Sequence, residues 1–260
     1  MTMDLRETSS LRLPAGHMVS SEEEEPVLWL SEAPASPGLW SRMLAEHLRS
    51  GLWPLLLEGH HHEPHRPWES QELSPSCFSH LTEHDPEELL TTWWNYYAHV
   101  EDGVAPSNPL ETAPFELWPG RAPAREVRPG AAEETASECA ELLMEHRAGS
   151  RLGLVRAGSG AEAMTASGWM GPLNHDNDTA VFACVVADWE RRFGARVLGM
   201  GFATLTLSVA APPADLDQAL RVAGGHFAFC PDNVLQNPPY RLQDYAELLI
   251  DRPVWDFWWD

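Results

Sequence analysis

The sequence contains no lysine, and all 17 of its basic residues are arginines. Schiff-base reactions, pyridoxal chemistry and phosphate loops of the Walker type all need a lysine side chain. These classes of activity are therefore excluded, and the sequence predicts no cofactor. Isoleucine is nearly missing too, since it occurs only at Ile250. Because lysine and isoleucine use A/T-rich codons, both gaps indicate a GC-rich genome and suggest a bacterial gene.

Positive charge is scarce, because 39 acidic residues against 17 basic ones give a formal net charge of −22. Such a chain repels polyanions, so we expect binding neither to nucleic acid nor to an anionic membrane. The same charge favours a basic protein partner. The sequence specifies no oligomeric state. With 43% hydrophobic residues, the chain can bury a sizeable core.

Metal-binding and membrane-spanning patterns are lacking as well. The four cysteines are far apart and form no CxxC pair. The run His60-His61-His62-Glu63-Pro64-His65 is flanked by proline rather than carried by a rigid element, so no metal site is predicted. No stretch approaches the ~18 apolar residues of a membrane span, and the start of the chain has no apolar signal region. We therefore expect reduced thiols and a cytoplasmic protein.

Charge and proline content divide the chain into four segments. Residues 1–25 end in a glutamate run and are predicted to be a flexible acidic tail. Residues 26–105 read as an N-terminal α/β region, and the proline-rich residues 106–130 as a linker. Residues 131–260 form the predicted C-terminal domain.

Hydrophobic periodicity predicts a small β-α-β unit over residues 27–57 and a helix that begins at the Asp85 cap. Further along, Asp178 and Asp215 are typical caps of two more helices, and residues 196–209 read as paired strands. The chain then closes on an aromatic strand. The predicted fold is α+β, with an antiparallel or mixed sheet that has helices packed on one face, plus the smaller N-terminal β-α-β region.

Five blocks in the last 110 residues resemble a known family. They are Gly168-Trp169-x-Gly171-Pro172-x-Asn174-His175-x-Asn177-Asp178-Thr179-Ala180, Trp189-Glu190-Arg191-Arg192-Phe193-Gly194-Ala195-Arg196-Val197, Leu207-Ser208-Val209-Ala210-Ala211-Pro212-Pro213, Phe229-Cys230-Pro231-Asp232-Asn233-Val234 and Phe257-Trp258-Trp259-Asp260. From roughly Arg151 to Asp260 the chain is thus similar to the bacterial domain-of-unknown-function family four-two-five-three. The resemblance implies a fold and no established activity. One departure is Gly224-Gly225, where the family leads us to expect an acid before His226.

Cys230 is the first residue to consider as a nucleophile, because His226 lies one helical turn before it. A thiolate is disfavoured at a helix end beside Asp232, so we interpret Cys230 as a buried residue that closes a helix. Asp232 and Asn233 read first as a turn and capping pair, and second as ligand-binding side chains.

The loop Asn174-His175-Asp176-Asn177-Asp178 is the densest polar stretch, and capping accounts only for Asp178. If the fold has a pocket, this loop and the turn at 230–233 are predicted to form its walls.

The chain has 12 tryptophans, which as a rule belong to the core; Trp189 already has a place on a helical stripe. Trp258 and Trp259 are adjacent in a predicted strand, so they point to opposite faces. One of them must therefore face a second layer, a partner or solvent. Together with Trp169 and Asp260, they complete the candidate set of family-signature or binding residues.

Two hypotheses follow from these residues. The first is a non-enzymatic binding protein, of an immunity-like or regulatory kind, with an exposed acidic and aromatic surface for a basic partner. The second is a small hydrolase or ligand-binding enzyme whose polar cleft is formed by the His175 loop and the Cys230–Asp232 turn. We prefer the first, because no nucleophile and base have a recognisable spacing.

Overall fold

The computed structural model describes residues 13–101, 103, 111–147 and 149–260. The strands are β1 (Gly16–Ser20), β2 (Pro26–Pro34), β3 (Leu52–Leu57), β4 (Arg151–Arg156), β5 (Ala195–Met200), β6 (Thr204–Val209) and β7 (Val254–Trp258). The helices are α1 (Leu39–Ser50), α2 (Pro86–Tyr97), α3 (Ala131–His146), α4 (Gly160–Ala166), α5 (Thr179–Phe193), α6 (Leu216–Phe229), α7 (Asp232–Leu235) and α8 (Leu242–Leu249). Two short 3-10 helices, Pro75–Cys77 and Leu81–Glu83, precede α2.

All seven strands join one mixed sheet in the order β1-β2-β4-β3-β5-β6-β7. Every neighbouring pair is antiparallel except β3 and β5, which run parallel. At that junction Gly199 is paired with Leu56, and a Cβ on Gly199 would lie 2.3 Å from the Leu56 carbonyl oxygen. Glycine therefore permits the close approach that joins the two halves of the sheet.

The predicted caps are confirmed. The Asp85 carboxylate accepts from the Glu87 backbone N–H at 2.7 Å, and Asp178 accepts from the Ala180 N–H at 2.9 Å. Asp215 caps α6 in the same way through the Gln218 N–H at 2.9 Å. Each carboxylate satisfies a backbone donor that the first helical turn leaves free.

The α+β fold with a mixed sheet is confirmed, and helices cover both faces of the sheet rather than one. On β7, Phe257 stacks on Trp189 of α5 at 5.4 Å between ring centroids. The next side chain back, Asp256, points to the opposite face and accepts from Arg147, just after α3, at 3.0 Å. Helix α3 also contacts β5 and β6 and packs beside α1. In β6, polar and apolar residues alternate, which is typical of a sheet with one solvated face. Here α3 covers that face, so Thr206 and Ser208 are buried.

The predicted segments meet within this sheet. β4, from the predicted C-terminal domain, lies between β2 and β3 from the N-terminal region. β1 lies inside the predicted tail, of which residues 1–12 fall outside the described residues. The described part of the predicted linker is bound to its surroundings, since the Arg125 N–H donates to the Arg192 carbonyl at 2.9 Å. The three boundaries between the four predicted segments stay predictions.

Among the described residues, no helix is both long and apolar enough to cross a membrane.

Candidate functional site

Strand β7 carries an aromatic core on one face. Trp255 and Phe257 are buried and surround the ring of His226 at 4.5 and 4.9 Å between centroids. Trp189 and Phe229 lie against the same rings. Rings at these distances in edge-to-face and stacked arrangements stabilise beyond their buried area.

His226 belongs to this core and not to a site. Its Nδ1 atom lies 2.9 Å from the Tyr245 hydroxyl, and its Nε2 atom is buried with no hydrogen-bond partner among the described residues. Burial lowers its pKa to about 3. The ring is therefore neutral at physiological pH and packs as an aromatic side chain.

Cys230 closes α6, as the sequence predicts, and its side chain is fully buried. Its thiol donates to the Trp258 carbonyl at 3.0 Å. Burial raises the pKa of this thiol far above its ordinary range. The neighbouring Asn233 amide donates to the Asp256 carbonyl at 2.8 Å and to the Tyr245 hydroxyl at 3.0 Å. Both residues thus hold the chain end against α6 and α7.

The structure brings His175 and Asp232 together. His175 Nε2 lies 3.1 Å from Asp232 Oδ2, and His175 Nδ1 lies 2.8 Å from the Tyr97 hydroxyl. The same Asp232 oxygen accepts from the Asp260 N–H at 3.1 Å, while Oδ1 accepts from Gln236 at 3.0 Å. This chain of contacts, here called the Tyr97 relay, connects α2, the polar loop, α7 and the end of β7. In the sequence, Tyr97 falls at helical spacing with Leu90 and Trp94 of α2, and such a stripe gives no sign of the partner of its hydroxyl.

Asp178 lies in a different cluster. Besides capping α5, it accepts from the Ser79 hydroxyl, which in turn lies 2.6 Å from His84 Nε2. The serine bridges histidine and carboxylate, whereas a nucleophilic triad needs the histidine in the middle. Asn177 is exposed beside this cluster.

A cleft of about 720 Å³ opens where the polar loop meets the end of β7. We call it the Trp258 cleft. Its walls comprise Glu22, Glu58, Gly59, His60, His61, Arg66, Pro67, Gln71, Glu72, Met170, Gly171, Leu173, Asn174, Gly201, Phe202, Ala203, Thr204, Trp258, Trp259 and Asp260. Of the polar loop, only Asn174 lines the cleft. Contrary to the sequence prediction, the 230–233 turn does not form a wall; it lies behind the cleft and reaches it through the Asp260 N–H.

The two adjacent tryptophans point to opposite sides, as predicted. Trp259 is 2% exposed, contacts Trp169 edge-on at 5.9 Å between centroids and donates to the Phe229 carbonyl. Trp169 is also buried and donates to the Gly201 carbonyl at 2.7 Å. Trp258 is 41% exposed at the cleft. The signature motif therefore builds the floor of the cleft with one indole and exposes the other.

Negative charge prevails in the cleft. Its single arginine, Arg66, is bound by Glu72 at 2.6 Å and Glu63 at 3.0 Å and lies over the Phe202 ring at 4.8 Å. Glu22, Glu58 and Asp260 are further carboxylates of the lining. Among the described residues, the Asp260 carboxylate has no hydrogen-bond or ion-pair partner. Because Arg66 and Glu72 neutralise each other, the remaining carboxylates make the cleft acidic, and Phe202 and Trp258 make it aromatic.

The histidine run lies at the rim of the same cleft. The rings of His60, His61 and His62 are 3.8 to 5.8 Å apart between centroids. The charge of His62, with smaller effects of desolvation and of His60, lowers the pKa of the exposed His61. Over the described part of the chain, no group of three or more His, Cys, Asp or Glu side chains is arranged to hold a metal ion. The described cysteines are free of disulfides.

The signature block that begins at Trp189 has a structural explanation. The Glu190 carboxylate is buried and accepts from the Ala161 N–H at 3.1 Å, at the start of α4. Burial raises its pKa. Next to it, Asp188 receives Arg121 at 3.1 Å and Arg191 at 3.2 Å, which ties the proline-rich segment to α5. This block, with Asp188 before it, therefore holds α5 to α4 and to the proline-rich segment behind the cleft.

Comparison with protein-family models matches residues 151–260 to the family described as Domain of unknown function (DUF4253). No curated protein and no solved structure matches the chain.

Proposed function

We propose that this chain, whose residues 151–260 belong to the DUF4253 family, is a non-enzymatic binding protein that holds a cationic group of a basic partner protein in the Trp258 cleft. An immunity-like or regulatory role and a cytoplasmic, bacterial setting are parts of the same proposal. The observation that carries it is an exposed indole beside unpaired carboxylate charge in a cleft of about 720 Å³.

The chemistry of the lining supports a cationic ligand. Tryptophan offers the most favourable aromatic face for a guanidinium or ammonium group. The Asp260 carboxylate lies in the same cleft and can neutralise that group. Arg66 over Phe202, held by Glu72, already forms this kind of contact within the protein.

The alternative is a hydrolase or ligand-binding enzyme that uses His175, Asp232 and Cys230. The 3.1 Å contact between His175 and Asp232 favours this alternative, because it brings together two of the three residues. However, both ring nitrogens of His175 are occupied, and the Cys230 thiol is buried and bound to the Trp258 carbonyl. A triad histidine also has both nitrogens bonded, one of them to the nucleophile that it activates. Here that position is held by the Tyr97 hydroxyl, whose pKa burial raises to about 12, and neither Tyr97 nor His175 lines the Trp258 cleft. The arrangement therefore favours binding over catalysis.

Calorimetric titration with an acetylated and amidated tetra-arginine peptide tests the proposal at low salt. Replacing Trp258 by threonine removes the aromatic face, and we expect affinity to fall by about 3- to 30-fold, in line with a partly desolvated cation–π contact. Asp260→Asn should weaken binding about 2- to 5-fold, as expected for one exposed charge pair.

The matched control is Glu138→Gln, which removes one charge from the exposed surface of α3 outside the cleft. Because the whole chain is strongly acidic, any polycation is attracted to it without a site. Equal losses in Asp260→Asn and Glu138→Gln would show such general attraction and refute the proposal. Hydrolysis of ester substrates that disappears in Asp232→Asn would instead establish the enzyme.

A further inference from the structure

We infer that the partner binds as an extended peptide segment that crosses from the Trp258 cleft into a second cleft beside Leu248. Its basic side chain occupies the first cleft, and an apolar side chain followed by an acidic one occupies the second. This inference rests on the proposed function and names the form of its partner.

The second cleft, here the Leu248 cleft, has a volume of about 590 Å³. It lies between β7 and the segment that carries α7 and α8. The two clefts share Glu58, Thr204 and Trp258 as lining residues. Thr204 and Trp258 are also direct partners in the β6–β7 register, so the clefts adjoin at the end of β7. A ligand anchored at Trp258 therefore reaches both.

The chemistry changes along this path. In the second cleft Leu248 is 62% exposed, and Pro238 is exposed near it. Arg252 is exposed too and has no ion pair among the described residues. Arg147 is already bound by Asp256 at 3.0 Å and Thr206 at 3.1 Å. Arg252 therefore offers an unpaired positive charge that complements an acidic side chain of the ligand. The Trp258 cleft, at the other end of the path, is acidic and complements a basic side chain.

The length of β7 sets the length of the segment. It ends at Trp258, six residue steps beyond Arg252, and at about 3.3 Å per step these span about 20 Å. An extended peptide needs about six residues to cover that distance, and about two more to enter the first cleft.

Side chains, not the backbone, must recognise this segment. β7 is the last strand of the sheet, so its outer edge could accept another strand. However, the Asp256 carbonyl already accepts from Asn233 at 2.8 Å and the Trp258 carbonyl from Cys230 at 3.0 Å. Helices α6 and α7 therefore block strand addition, and the peptide lies across the clefts.

Two lengths of peptide test the inference on the full chain. The short probe is acetyl-Arg-Arg-Gly-amide. The long probe is acetyl-Arg-Arg-Gly-Ser-Gly-Leu-Leu-Asp-amide, measured also with its sequence reversed. If both clefts are engaged, the better long probe should bind at least about tenfold more tightly than the short one, because the second contact is intramolecular. Leu248→Asp should remove that gain and leave the short probe within about twofold of its original affinity.

The control variant is Leu142→Asp, which places the same charge on an exposed leucine of α3, 54% exposed and outside both clefts. Melting temperatures check that both variants stay folded. A long probe no tighter than the short one, or equal losses in Leu248→Asp and Leu142→Asp, would overturn the peptide inference alone. If Trp258→Thr leaves the affinity for the short probe unchanged, the proposed function itself is refuted, and the peptide inference that rests on it falls too.

Discussion

The two faces of β7 divide its side chains between the core and the two clefts. Trp255 and Phe257 enter an aromatic cluster around Trp189, where every ring has ring neighbours. Asp256 and Trp258, on the other face, meet Arg147 and the two clefts. Tryptophan thus stabilises the fold at position 255, whereas at position 258 it lines the proposed binding surface. The two faces differ in how far helices cover them. Helices α5 and α6 cover the face of Trp255 and Phe257, whereas α3 leaves the end of the opposite face open.

Phe257→Ala tests the core face and should have the largest effect. It removes a buried ring that contacts Trp189, His226 and Phe229, so we expect a loss of about 3 to 5 kcal/mol in the free energy of unfolding. Urea denaturation followed by tryptophan fluorescence measures it. A loss as small as that of Trp258→Thr would contradict the division between the two faces.

The second prediction concerns the pH dependence of stability. The folded pKa of His226, about 3, lies below its ordinary value of 6.5. The unfolded chain therefore binds the proton more readily, and stability is lost as pH falls from 6.5 towards 3. Between pH 7 and pH 5, this residue should cost about 2 kcal/mol. The His226→Gln variant should show a correspondingly flatter stability profile.

His61→Gln is the matched control at the cleft. His61 is exposed, so solvent screens the interactions that lower its pKa. Its replacement should therefore change the slope of stability against pH far less than His226→Gln does. An equal flattening in both variants would show that His226 is not the group responsible. Urea denaturation at four pH values separates the two results.

Asp232→Asn lies between the two regions and should have an intermediate effect. The carboxylate accepts from His175, Gln236 and the Asp260 N–H, and an amide cannot accept all three. We expect a loss of about 1 to 3 kcal/mol in unfolding free energy. The affinity for tetra-arginine should fall as well, because Asp260 loses its backbone anchor. Tyr97→Phe, which removes only the outer contact of the Tyr97 relay, should have a smaller effect on both quantities.

Trp258→Thr should have the smallest effect on stability. The indole is 41% exposed, and threonine retains the preference for a strand, so we expect a change within about 0.5 kcal/mol. The fall in peptide affinity described above should occur in the same protein. Stability would then depend on the buried face of β7, and peptide affinity on its exposed face. A large loss of stability would place Trp258 in the core and remove the cleft from consideration.

The elements that the sequence predicted correctly carry local signals. Asp85, Asp178 and Asp215 each accept a hydrogen bond from a backbone N–H of the first helical turn, and that contact depends on a residue only two or three positions away. β1 and α4 were missed, because a five-residue edge strand and a seven-residue helix give weak periodicity. The second layer of helices was missed too, because the covering of a sheet face depends on where a distant helix packs.

The candidate site also combines features that local sequence predicts with features that it does not. The opposite orientation of Trp258 and Trp259 follows from strand geometry alone, and the sequence predicts it. The pairing of His175 with Asp232 joins residues 57 positions apart, and no local spacing indicates it. The partner of the Tyr97 hydroxyl was equally hidden, since a helical stripe specifies burial and not hydrogen bonding.

The sequence by itself determined the composition, the exclusion of lysine chemistry, the helix caps and the alternation along the last strand, because each depends on residue identity or on neighbours in the chain. The tertiary structure alone decided which face of β7 is covered, how Tyr97, His175 and Asp232 connect, and that carboxylates from residues 22 to 260 line one cleft. Those features arise from contacts between segments far apart in sequence, which the crossing of β4 between β2 and β3 brings into one sheet.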